Sequence, residues 1–296
     1  MVSRIPEAVR LAVEPVTGTL RRAEAVGGGD VSHAARLDAE HGTFFLKWGG
    51  GNAGQTYAAE AEGLAALAAA SGPALHVPAP HLAQDAEADA PGYLLLDWIE
   101  PGRTSEAGWR EFGAALADLH RAEPPGDGRY GWASDNWIGS KPQQNGWAAS
   151  WPEFFGEHRL RAQAETVRLH GAWDAAWDPL LDHLVARLGE VLPEAPPPSL
   201  LHGDLWGGNA LPTADGPFAI IDPAVSVGHR EADLAMTELF GGFSAAFYEG
   251  YREAWPLEPG YPERREVYNL FHLINHLTHG AGYRHPVEAT LRRFGG

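Results

Sequence analysis

The feature that most constrains this chain is a short unit near two thirds of its length. The apolar pair Leu200-Leu201 runs into His202-Gly203-Asp204-Leu205-Trp206-Gly207-Gly208-Asn209, and a second apolar run, Phe218-Ala219-Ile220-Ile221, ends on Asp222. Two short strands joined by a loop would bring Asp204, Asn209 and Asp222 to one edge. Each residue alone has a plain reading: Asp204 as a turn after Gly203, Asn209 as a loop residue, Asp222-Pro223 as a turn, and His202 as a structural hydrogen-bonding side chain. Their joint order points to phosphoryl transfer, which needs an oriented acceptor hydroxyl and metal-bridged phosphates held in line with it. An aspartate beside the acceptor oxygen, with an asparagine and a second aspartate as hard oxygen ligands for Mg²⁺, meets that need.

The first third supplies the complementary half. Strands are expected at Ala23–Val26, His33–Leu37 and Thr43–Trp48, with the glycine-rich turn Gly27-Gly28-Gly29 after the first. A helix rich in Ala, Glu and Leu follows over Gln55–Ala70 and is stopped by Ser71-Gly72-Pro73. Lys47 on the third strand and Glu60 on this helix match a phosphate-anchoring lysine held by a helix glutamate beneath a glycine-rich loop that carries Gly28 and Gly29. Glu62 competes for the same pairing; Glu60 is preferred because Tyr57, Leu64 and Leu67 would flank its face. A lysine on such a strand is equally an edge charge, and three glycines are commonly a hairpin turn.

The apolar run Tyr93–Ile99 is broken by Pro101-Gly102, which sets an expected boundary between an N-terminal lobe, 1–99, and a mainly helical lobe, 100–296. In the second lobe, Glu106–His120 carries Phe112, Leu116 and Leu119 on one face. Residues 123–150 read as a long ordered surface segment. Helices are expected over Pro152–Leu169, Trp173–Leu188 and from Glu231 onward, with Leu270, Phe271, Ile274 and Leu277 as a buried stripe.

Bulk properties narrow the partners. The 296 residues carry 22 Lys+Arg against 39 Asp+Glu, a net charge of −17, and this field would repel nucleic acid and anionic lipid. With no cysteine there is no disulfide, thiolate nucleophile or zinc–cysteine site. No signal-peptide or membrane-spanning stretch is evident, so a cytoplasmic protein without membrane contact is expected. His272, His276 and His279 share a helix face but lack the companion carboxylate of a metalloprotease, so helix packing is the expected role.

Residues 201–209, Asp222-Pro223-Ala224 and Gly228-His229-Arg230-Glu231-Ala232-Asp233-Leu234-Ala235-Met236 together resemble the fructosamine/ketosamine 3-kinase family. That family lies within the protein-kinase-like small-molecule kinases, alongside aminoglycoside and choline kinases. Asp135-Asn136-Trp137-Ile138-Gly139, Trp151–Phe155 and Tyr283-Arg284 extend the resemblance from about Gly27 to the C-terminus. Asp222 is followed by Pro-Ala rather than the Phe-Gly of protein kinases.

The resemblance implies an α+β, two-lobed fold, an N-terminal antiparallel sheet with one helix and a mainly helical C-terminal lobe. It implies ATP- and Mg²⁺-dependent phosphorylation of the 3-hydroxyl of a ketosamine, free or on a glycated protein lysine, with bacterial relatives favouring shorter sugars such as ribulosamines. Asp204 would act on the sugar hydroxyl, Asn209 and Asp222 would hold Mg²⁺, and Lys47 the phosphate oxygens. Trp206 would lean on the acceptor or, equally, cap its loop. The backbone of Asp97 to Ile99 would meet the adenine edge, and Asp233 would accept backbone amides beneath the catalytic loop. Two other readings are a kinase of another small amino alcohol, such as an aminoglycoside, and a nucleotide-binding module without turnover.

Overall fold

The structure is a computed structural model that describes residues 5–27 and 32–296. The strands β1 (Leu20–Ala25), β2 (His33–Ala39), β3 (Thr43–Gly49), β5 (Pro80–Gln84) and β6 (Gly92–Asp97) form an antiparallel sheet in the order β1-β2-β3-β6-β5. Alternate residues of a strand face opposite sides, and both sides of this sheet are covered. Leu46 and Leu95 pack with Val9 and Val13 of α1 (Glu7–Thr17). Leu94, Leu96 and Phe45 pack instead with Tyr57 and Leu64 of α2 (Tyr57–Ala70).

Helix α1 corrects the expectation of a single helix beside this sheet. It carries charges at Glu7, Arg10 and Glu14 and an internal Pro15, yet Val9, Val13 and Thr17, spaced by one turn, are buried against the sheet. Tertiary burial overrides the propensity cost of the proline. The rest of the fold class stands as expected.

The chain leaves β6 and is pinned where it crosses: Ala214 N–H donates to the Glu100 carbonyl (2.9 Å), and Gly102 N–H to that of Pro212 (2.8 Å). Beyond it, α3 (Glu106–Arg121) packs on α8 (Ala245–Ala254). Between these helices and α7 (Glu231–Leu239) lie β9 (Pro198–Leu201), β10 (Ala210–Pro212) and β11 (Phe218–Ile220). Their Leu200, Ala210, Phe218 and Ile220 share a core with Phe112, Leu116, Leu234 and Phe247. The short β4 (Leu75–His76) comes before β6 in sequence but pairs in parallel with β11. Leu67 and Leu75 thereby join the core of the helical part.

A second core is built by α4 (Trp151–Phe154), α5 (Ala162–Leu169), α6 (Asp178–Ala186), α9 (Tyr261–Asn275) and α10 (Arg284–Gly295). The helix expected over 152–169 is continuous in path, but Phe155–Arg161 winds as π-helix. Residues 123–150 correct another expectation. They are not a surface segment: Tyr130, Trp132, Ile138, Asn136, Gln143 and Asn145 are buried, with a hairpin of β7 (Asn136–Ile138) and β8 (Lys141–Gln143). The reason is that Asn136 and Gln143 hydrogen-bond to backbone carbonyls underneath the site.

Candidate active site

Lys47 lies on β3 between Leu46 and Trp48, whose side chains face the α1 core, so its own side chain leaves the opposite face toward α2. There its ammonium donates to Glu60 Oε1 (2.8 Å) and to Asp222 Oδ1. Glu60 falls on the α2 face of Tyr57, Leu64 and Leu67. Glu62 points elsewhere and accepts from Trp132 Nε1 (3.0 Å), so the structure gives Lys47 to Glu60. Burial works against the charge on Lys47, but the Glu60 and Asp222 carboxylates outweigh it and raise the ammonium above its ordinary range. Asp222 is held low: burial would raise it, and the charge and hydrogen bond of Lys47 prevail.

Asp222 has φ 56°, in the left-handed region that aspartate tolerates better than most residues. The turn is pinned to the preceding loop. Ile221 N–H donates to the Asn209 carbonyl (3.1 Å), and Ala224 N–H to that of His202 (2.8 Å). The His202 ring makes a third tie, from Nε2 to the Ile221 carbonyl (2.9 Å), while its Nδ1 accepts from Asp204 N–H (3.3 Å). His202 is therefore a neutral brace between the two aspartate-bearing segments, and burial lowers its pKa accordingly. Gly203 fits where they touch: its φ is 83° and a Cβ would come within 2.0 Å of the Ala224 carbonyl oxygen.

Asp204 is half-buried. Burial, reinforced by the charges of Asp222 and Asp233, pushes its carboxyl up to about 7. Asn209 Nδ2 donates to the Asp204 carbonyl (2.8 Å) and reaches its Oδ2 at 3.5 Å. That engagement of the amide nitrogen leaves the Asn209 amide oxygen available as a hard ligand. With ionised, 44% exposed Asp222, it makes a donor set suited to Mg²⁺. Trp206 is 43% exposed and folds over Gly208, where a Cβ would meet its ring at 2.4 Å. At the crossing, the Asp97 carboxylate binds His81 Nε2 (2.7 Å) and Ala79 N–H (3.1 Å); Ile99, two residues on, is half-buried. Gly28 and Gly29 lie outside the described residues.

The loop rests on a buried network. Asp233 on α7 accepts His202 N–H (2.7 Å) at one oxygen and Gly203 N–H (2.8 Å) at the other. His120 of α3 adds Nε2–H at 3.2 Å, and its Nδ1 meets the Tyr251 hydroxyl (2.8 Å), which accepts from Arg230 (3.3 Å). Sequence reasoning placed Asp233 under the loop but missed His120 and Tyr251. The available signal was a histidine in line with the apolar face of α3. A second support comes from the β7–β8 hairpin. Asn136 Nδ2 donates to the Val225 carbonyl (2.8 Å), and Gln143 Nε2 to that of Ala224 (3.1 Å). The buried Glu231 carboxylate takes a two-pronged contact from Arg264 (2.6 and 2.9 Å), which fixes α7 against α9.

His272, His276 and His279 sit at the end of α9 and the turn after it. His276 Nδ1–H donates to the His272 carbonyl (2.8 Å) and its ring packs on Phe240 and Tyr283. Among the described residues, no group of three or more histidines and carboxylates is disposed to hold a metal ion. Nor is any helix among them long and apolar enough to cross a membrane.

Comparison with known proteins matches this arrangement to a family. A "probable ketoamine kinase" of Synechocystis sp. is 39% identical over 276 residues, covering 93% of this chain and 90% of that protein. A chloroplastic "protein-ribulosamine 3-kinase" of Oryza sativa subsp. indica is 35% identical, with coverage of 88% and 75%. A solved structure from Thermobifida fusca, 29% identical, superposes with a TM-score of 0.83 over 96% of this chain and 97% of that one. An aminoglycoside phosphotransferase solved with AMP-PNP and hygromycin B, 16% identical, shares the fold (TM-score 0.67; 97% and 98% covered). The fructosamine kinase profile itself matches residues 7–294, and the chain belongs to the fructosamine kinase family.

Proposed function

We propose that this protein transfers the γ-phosphoryl group of ATP to a sugar hydroxyl of a ketosamine, the adduct of a sugar with an amine. The observation that carries the reading is the Lys47 ammonium held between Glu60 and Asp222, in a chain matched along nearly its whole length by one kinase family. Lys47 would exchange part of that contact for phosphate oxygens, as a cation already fixed in place. Gly28 and Gly29, which lie in the sequence between β1 and β2, would serve the phosphates. The backbone at Asp97 to Ile99 would border the adenine, with residues 1–99 and 100–296 as the lobes on either side. Mg²⁺, when bound, would neutralise phosphate charge, and Asn209 and Asp222 are the residues that would hold it.

Asp204 would take the proton of the attacking hydroxyl as its oxygen bonds to the γ-phosphorus and the bond to ADP breaks. A carboxyl pushed to about 7 suits that task, since it is basic enough to accept a proton near neutrality. Trp206 offers an exposed aromatic face for the sugar. The names of the relatives favour a ketoamine or ribulosamine acceptor, free or on a glycated protein. A cytoplasmic setting, where ATP is supplied, belongs to the same proposal. The test is Mg²⁺-dependent ATP turnover on ribulosamine, erythrulosamine and fructosamine conjugates. Folded protein that phosphorylates none of them defeats the reading.

A further inference from the structure

Helix α2 carries Glu60 to Lys47, so whatever fixes α2 fixes that pair. The helix lies between the sheet and the helical part. Tyr57 and Leu64 pack with Leu94 and Leu96 of β6. On the other side, Leu67 belongs to the core of Leu200, Leu205 and Phe218, with Ala66 and Ala70 packed against it. Gly63 brings this side close to the chain just after Asp222: a Cβ there would stand 3.2 Å from both Val225 methyls and 3.3 Å from Pro223 Cγ.

Apolar packing of this kind is non-directional and leaves a helix free to slide or roll. One polar contact gives the docking a register. Trp132 belongs to the helical part and is only 7% exposed, in the same core as Leu67 and Leu205. A buried indole N–H needs an acceptor, and its acceptor is Glu62 Oε1 on α2, 3.0 Å away. The Trp132 backbone is itself anchored. Its N–H donates to the Asn145 carbonyl (3.0 Å), and the neighbouring Gly131 exchanges N–H···O bonds of 2.9 and 2.7 Å with Val227. Glu62 and Glu60 are two helix positions apart, about 200° around the axis, so the indole holds one side of α2 while Lys47 is met from the other. The chain after Asp222 also leaves little to regulate: β12 (Ser226–His229) begins after Pro223-Ala224-Val225 and pairs at once with β9. A helix glutamate that anchors a phosphate-binding lysine acts as a switch only where its helix can move.

We propose that Trp132 and Glu62 are positioning residues: their hydrogen bond holds the first turns of α2 on the helical part, so that Glu60 meets Lys47 before any ligand arrives. The inference rests on the phosphoryl-transfer reading above and adds that the phosphate-anchoring pair is assembled constitutively. Both residues act through Glu60, not on the nucleotide.

The experiment measures Kd for Mg²⁺·AMP-PNP by calorimetry, with thermal midpoints alongside, in wild type, Glu62→Ala, Glu62→Gln, Trp132→Phe and the Glu62→Ala/Trp132→Phe double variant. It repeats Glu62→Ala in a Glu60→Ala background. Glu62→Ala and Trp132→Phe should each raise Kd roughly three- to tenfold, the scale of one hydrogen bond, and the double variant should go no further than either. Glu62→Gln, which keeps an oxygen for the indole, should match wild type. In the Glu60→Ala background, Glu62→Ala should leave Kd unchanged. A merely structural contact would lower the thermal midpoint in both backgrounds and leave Kd alone. The proposal is overturned if Glu62→Ala and Trp132→Phe both leave Kd unchanged, if their effects add, if Glu62→Gln behaves as Glu62→Ala, or if Glu62→Ala weakens binding equally with and without Glu60. Wild type that binds nucleotide but phosphorylates no ketosamine defeats the acceptor reading alone, since Kd still decides this one; wild type that binds no nucleotide sinks both.

Discussion

Asp233→Asn is the sharpest test of how the catalytic loop is held. Three buried donors converge on the two oxygens of that carboxylate: Gly203 N–H on one, His202 N–H and His120 Nε2–H on the other. An amide has one oxygen. It can best keep the His202 and His120 contacts by turning its NH₂ toward Gly203, where two donors then face each other. The loss is one charge-assisted hydrogen bond, the weakening of two more, and an orphaned backbone N–H, together about 3 kcal/mol. For 296 residues the unfolding entropy is on the order of 0.6 kcal/mol per kelvin, so the thermal midpoint should fall by about 5 °C. Because the displaced amide is that of Gly203, next to Asp204, kcat should also fall, by roughly a hundredfold for a shift near 1 Å. Nucleotide affinity should change little. Differential scanning fluorimetry and steady-state kinetics with varied ATP would read all three. An unchanged midpoint with unchanged kcat would refute the reasoning. A midpoint drop with intact kcat would show that Asp233 stabilises α7 without positioning the loop.

Two further outcomes follow from the site and its surroundings. Asp204→Asn should cut turnover by roughly 10²–10⁴ while leaving Mg²⁺-nucleotide binding largely intact, whereas Asp222→Ala should weaken that binding along with rate. Equal, modest effects measured by calorimetry and kinetics would contradict the division of labour. On acidification, His229 and His272 should destabilise the fold. Burial, with nearby Arg230 and Arg264 for His229 and with His276 and Arg159 for His272, holds each down to about 3. The unfolded chain binds protons at about 6.5, so this contribution is intact above pH 6.5 and is lost as pH falls toward 3. At pH 5 each should cost about 2 kcal/mol, so urea unfolding at pH 7 and 5 should show a smaller acid loss in a His229→Gln/His272→Gln double variant; an equal loss would exclude these two groups.

The order of residues alone determined the kinase-like architecture. Short apolar runs marked β2, β3 and β6, and the Ala-rich stretch with Leu64 and Leu67 marked α2. Asp204, Asn209 and Asp222 were legible because their separation is set within one compact strand-loop-strand unit. Lys47 was legible as a charge interrupting a strand's apolar run. What local pattern could not carry was partner choice over long separations. Glu60 and Glu62 differ by two helix positions, and only the placement of α2 against both the sheet and Trp132 decides that one meets Lys47 and the other the indole. Helix α1 exists because a sheet face awaits it, a fact absent from its own charged, proline-bearing sequence. The segment at 123–150 looked like surface because its polar residues carry no sign of the carbonyls they serve at Ala224 and Val225. His120 and Tyr251 likewise acquire meaning only through neighbours brought close by folding. Periodicity is a property of a chain with itself; the satisfaction of a buried polar group is a property of two segments at once.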